Sequence, residues 1–121
     1  VNCSYRLAPD ADLLYACDVA WWDKYRPAFD GLKVTQDARV QRSDVYRVPS
    51  EAKPGLSLDP LRIHQGGNGG YQALNLAVLL GARRVILLGF DLHEGNGKLH
   101  WHGPHAGLNN PFTGMMEQWR E

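Results

Sequence analysis

Residues 61–91 read LRIH-QGGNGG-YQALNLAVLL-GARR-VILLGF-D, and this stretch decides the fold. Residues 61–64 are short and partly apolar, the length of a strand. The glycines of Gln65-Gly66-Gly67-Asn68-Gly69-Gly70 allow a tight turn into the next segment. Residues 71–80 are apolar except for Gln72 and Asn75, which stand three apart and so share one helical face while the rest is buried. Gly81 suits the position just past a helix end. Residues 85–90 form a continuous apolar run closed by Asp91, the pattern of a strand covered on both faces. Strand, glycine turn, buried helix and buried strand make a βαβ unit with a right-handed crossover. The expectation is an α/β chain with a Rossmann-like, mostly parallel sheet and helices on both faces. Residues 85–90 should be an interior strand.

Working outward, residues 11–17 (ADLLYAC) form another short apolar run, closed by Asp18. Asp18 is well placed to cap the next segment. There Trp21, Trp22 and Tyr25 fall within about one helical turn before Pro27 ends it. These aromatics suit a core or an interface better than a stacking platform for a base. Residues 32–35 (LKVT) and 44–48 (DVYRV) alternate as strands do. Residues 50–60, with Pro54, Gly55 and Pro60, read as an irregular connection.

The 121 residues carry 13 Lys+Arg and 13 Asp+Glu, a formal net charge of zero, with 44% hydrophobic residues. That length is one domain at most. No apolar run approaches the ~18 residues of a membrane span, and zero net charge argues against a sequence-independent grip on nucleic acid. Cys3 and Cys17 are too few for a disulfide scaffold, so a reducing, cytoplasmic setting is expected. The opening Val1-Asn2-Cys3 and the close at Trp119-Arg120-Glu121 do not read as natural ends. A single domain over 1–121, cut from a longer polypeptide at both ends, is expected. Association with further copies of the chain stays open.

Three groups could carry chemistry. The loop at Gly67, Asn68, Gly69 and Gly70 lies between a strand and a helix, where backbone N–H groups and the helix dipole favour an anion. It is neither a P-loop nor a G-x-G-x-x-G fingerprint, and a tight packing turn is the plain alternative. Asp18 and Asp91 each close a strand, and ligands of open parallel sheets bind outside the carboxyl ends of strands. For Asp18 the helix cap is the stronger reading. The third group is the loop after Asp91, where His93, His100, His102 and His105, four of the five histidines, fall in thirteen positions. Imidazoles serve as general bases near neutral pH. Their spacing matches no standard zinc motif, and no metal is expected. His64, at a strand end before the glycine loop, is a reserve candidate.

Residues 66–92, with the loop, the helix ending L-G-A-R-R-V and the strand ending G-F-D, resemble a small group of phage and prophage proteins of uncharacterised function. That group is similar to the bacterial lipooligosaccharide sialyltransferases and to 6-hydroxymethylpterin diphosphokinase-like proteins. The resemblance implies a nucleotide site on the sheet edge, such as one for a cytidine nucleotide donor. It implies that Asn2 touches the nucleotide, that Gly69 and Gly70 stand where a Ser/Thr-Gly pair is usual, and that Asp91 closes the strand at the site. His102 or His105 would be the general base. Gly69 lacks the usual hydroxyl, and no paired tyrosines follow Asp91.

The expected function is nucleotide binding related to glycosyltransferases, with a nucleotide or nucleotide sugar as the substrate and no separate cofactor. The rival readings are a pterin-type diphosphokinase and a non-catalytic phage binding or structural module.

Overall fold

The computed structural model describes residues 1–90. A 3₁₀ turn at Asn2–Leu7 leads into β1 (Leu13–Tyr15), α1 (Val19–Tyr25), β2 (Leu32–Thr35), β3 (Tyr46–Arg47), β4 (Ser50–Glu51), β5 (Ile63–His64) and α2 (Gly69–Leu79). The chain is α/β, and its sheets are small. One has the order β1-β2-β3 and the other β4-β5, and every pairing among them is parallel.

β1 sets the layering. Its alternate side chains point to opposite faces, as strand geometry requires. Leu14 and Ala16 pack with Trp21 and Trp22 of α1 and with Phe29. Tyr15 packs the other way, with Val34, Ile63 and Leu76 of α2. Trp21 and Trp22 meet edge to face at 5.1 Å, and the Trp22 indole donates to the Ala16 carbonyl at 3.0 Å. The aromatic cluster is therefore core. α1 ends with Arg26 in the left-handed region at φ 37°, one residue before Pro27, whose ring disfavours a helical predecessor.

β3 and β4 are the two ends of one run of chain broken at Pro49. Val48 still donates to Thr35 of β2 at 2.9 Å, whereas the Pro49 carbonyl already accepts from Ile63 of β5 at 2.9 Å. Proline has no N–H to continue the first ladder. The chain thus changes neighbours at this residue.

α2 begins at Asn68, whose side-chain oxygen accepts from Gly70 and Tyr71 N–H. It ends in a Schellman motif, with Gly81 at φ 85° donating to Val78 and Ala82 donating to Ala77. Gly81 thus takes the expected role.

Two expectations fail. Gln72 and Asn75 are buried, not the exposed stripe of an amphipathic helix. Asn75 Oδ1 accepts from Ser57 N–H at 2.9 Å and His64 N–H at 2.8 Å, while its Nδ2 donates to the Ser57 carbonyl at 2.9 Å. Gln72 accepts from the Tyr15 hydroxyl at 2.9 Å and donates to the Gln65 carbonyl at 2.8 Å. Irregular backbone carried inside needs partners, and these amides supply them.

The second failure is residues 85–90, which form no strand. Val85, Ile86, Leu87 and Leu88 are 39, 75, 44 and 82% exposed. An apolar run records a demand for burial, but a strand also needs a backbone ladder. Among the described residues β1 pairs with β2 alone, and nothing pairs with 85–90. The run does return toward the start of α2, where a Cβ on Gly70 would meet the Phe90 ring.

Candidate functional site

The carboxyl ends of β1, β2, β3 and β5, with the start of β4, line a cleft of about 480 Å³. Asp18 follows β1, Gln36, Asp37, Ala38 and Arg39 follow β2, Arg47 ends β3, and Pro49, Ser50 and Gln65 complete the lining. β1, β2 and β3 are parallel, so their carboxyl ends converge on one edge. The change of neighbours at Pro49 lies on that edge.

Asp18 occupies the N-cap position of α1, yet its side chain makes no capping bond. Asp37 does that work from the end of β2, its Oδ2 accepting from Val19 N–H at 3.1 Å. Asp37 also holds Arg39 in a fork, Nε to Oδ1 at 2.9 Å and a terminal nitrogen to Oδ2 at 2.7 Å. These bonds, with the Arg39 side chain the largest cause, lower the Asp37 pKa to about 2 despite burial. Asp18 is left to accept from the Cys17 thiol at 3.1 Å. Burial first, then Asp18, pushes that thiol well up, so Cys17 stays protonated and is a donor.

An amide relay forms another wall. Gln65 Nε2 donates to Ser50 Oγ at 3.1 Å, and Ser50 Oγ donates to Gln36 Oε1 at 2.7 Å. Behind it, burial is the main cause of the raised Tyr15 pKa, with Cys17 and Asp18 adding to it.

The glycine loop starts at this wall and runs to β1. A Cβ on Gly69 would lie 3.4 Å from Cys17 Sγ and 3.9 Å from Asn2 Nδ2. Asn2 has φ 47°, and its Oδ1 is buried with no partner among the described residues. Asn2, Gly69 and the residue before Asp18 thus come together. Gly70 donates to Asn68 Oδ1 at 2.6 Å and Asn68 N–H donates to Gln65 O at 3.4 Å, so these loop donors are already used.

His64 Nδ1 lies 3.1 and 2.9 Å from the carbonyls of Pro54 and Gly55. Two acceptors require the proton on Nδ1, so this ring pins a turn and stands away from the cleft lining. Asp91, His93, His100, His102 and His105 lie outside the described residues. Sequence reasoning missed Gln36, Asp37, Arg39, Arg47, Ser50 and Gln65. The Asp37-Ala-Arg39 spacing directly after an alternating strand was the one signal for any of them.

No family model matches the chain, and neither does any curated protein or solved structure. No helix among the described residues is long and apolar enough to cross a membrane.

Proposed function

We propose that the chain is a nucleotide-binding domain of Rossmann-like plan, related to glycosyltransferases, which takes an activated nucleotide such as a nucleotide sugar. The observation that carries this reading is the cleft at the carboxyl ends of parallel strands, the place where open α/β sheets bind ligands. Its volume of about 480 Å³ lies within the few hundred to ~1,000 Å³ of small-molecule sites. Asp18 supports it further, because its carboxylate is spared from capping α1 and lines the cleft, where it can accept from a sugar hydroxyl. Asn2 and Gly69 meet beside Cys17 at the adjoining loop.

Isothermal titration of the chain with CMP, UMP, AMP and GMP tests the reading. We expect one of them to bind, and Asp18→Ala to weaken it. No binding to any member overturns nucleotide recognition. Transfer is a second arm, assigned to His102 or His105 as general base. His102→Ala or His105→Ala should then lower turnover of a nucleotide sugar by ~10²–10⁴-fold with binding kept. Full turnover in both variants leaves a binding module.

A further inference from the structure

We propose that Arg47 receives the phosphoryl group of the ligand, which lies across the end of β2 with its hydroxyl-bearing part toward Asp18. The assignment rests on the nucleotide reading above and distributes charge within that cleft. Four charged side chains line it: Asp18, Asp37, Arg39 and Arg47. Arg39 is committed. Its fork to Asp37 is short at both ends, its own N–H donates to Asp37 Oδ1 at 3.0 Å, and Asp37 is anchored in turn to the first turn of α1.

Arg47 is different. It is exposed, and its side chain makes no hydrogen bond or ion pair with any described residue. Other basic side chains of the same region of the chain are ion-paired: Lys33 and Arg42 hold Asp44, and Lys53 and Arg62 hold Glu51. A guanidinium offers a planar fork that matches two phosphate oxygens, and such charge-assisted bonds are the strong ones.

Position agrees with chemistry. In the order β1-β2-β3, Asp18 follows one outer strand and Arg47 ends the other, with Gln36 and Asp37 between them. Two strand spacings are about 10 Å, a span that takes a sugar at one end and a phosphoryl group at the other. The start of α2 is the competing place for an anion, but there Asn68 already takes the Gly70 and Tyr71 N–H groups.

The test compares each nucleoside with its 5′-monophosphate (cytidine with CMP, uridine with UMP, adenosine with AMP) by titration. The proteins are the unaltered chain, Arg47→Ala, Arg47→Lys and Gly69→Val, each checked for fold by circular dichroism. In the unaltered chain the monophosphate should bind about 10–100-fold tighter than its nucleoside. Arg47→Ala should erase that preference and leave nucleoside affinity alone, and Arg47→Lys should restore part of it. An Arg47→Ala protein that keeps the preference overturns the assignment, as does a preference lost in Gly69→Val alone. Equal binding of nucleoside and monophosphate by the unaltered chain overturns the assignment and leaves the nucleotide reading standing. Binding of neither overturns both.

Discussion

Leu14 and Tyr15 are neighbours in β1, yet they face two different kinds of interior. Leu14 looks into a layer of aromatic rings, Trp21, Trp22 and Phe29, with Tyr5 edge-on to Trp21 at 6.2 Å. Tyr15 looks toward α2, where a smaller apolar cluster is laced by the Gln72 and Asn75 amides. The first layer rests on non-directional burial of large surfaces. The second depends on a few bonds with fixed geometry, so it specifies where the 54–59 connection and β5 sit against α2. Of the cleft lining, Gln65 follows β5 and so depends on that second layer, while most of the rest follows β1, β2 and β3.

The largest effect that would expose this contrast is Trp22→Ala. Removing a fully buried indole should cost about 3–5 kcal/mol, read as a drop in the urea midpoint. A loss no larger than that of a surface substitution would mean the α1 layer is not the main source of stability. Next comes Asn75→Leu, similar in bulk but unable to bond. It strands Ser57 N–H, Ser57 carbonyl and His64 N–H, and should cost roughly 3 kcal/mol. Hydrogen exchange at Ser57 and His64 should accelerate while that of β1 changes less. Uniform acceleration would erase the distinction between the layers.

Tyr15→Phe is smaller, about 1 kcal/mol, because it deletes one hydroxyl and leaves Gln72 bonded to Gln65. The last effect is read as a pH dependence. Asp37 joins β2 to α1, and its pKa falls from an ordinary value near 3.9 to about 2 in the fold. Its contribution is therefore fully present above the unfolded value and drains away as the pH drops toward about 2. Asp37→Asn should flatten the stability profile in that interval and lower the plateau above it. An unchanged acid limb would show that the Arg39 fork adds nothing to folding.

How much of this is legible in the sequence differs between the two layers. β2 reads directly from the alternation of Leu32-Lys33-Val34-Thr35, and α1 from its aromatics and Pro27, because period and punctuation are local properties. The end of α2 at Gly81 is equally plain. Gln72 and Asn75 read on the wrong side because polarity along a helix shows a preference, while their partners lie up to 57 residues away. Residues 85–90 mislead for the same reason: pairing is a property of two segments, and the run displays only one. Asp18 reads as the cap of α1, but Asp37, 18 residues from Val19, takes that donor. Asp18, Asn2 and Gly69 emerge from the resemblance and from strand ends. Arg47 does not, since a guanidinium on a two-residue strand carries no pattern of its own, and Arg39 is marked only by its spacing from Asp37.

Asn68 has one more consequence. Its carboxamide occupies donors that a helix start would otherwise offer to any passing anion. A visitor there does not gain fresh hydrogen bonds; it exchanges them, displacing the amide and keeping only the difference. Exchange of this kind acts as a threshold. Chloride or sulfate from the medium, held by charge alone, gains little from the swap. The turn into α2 is thereby insulated from background ions.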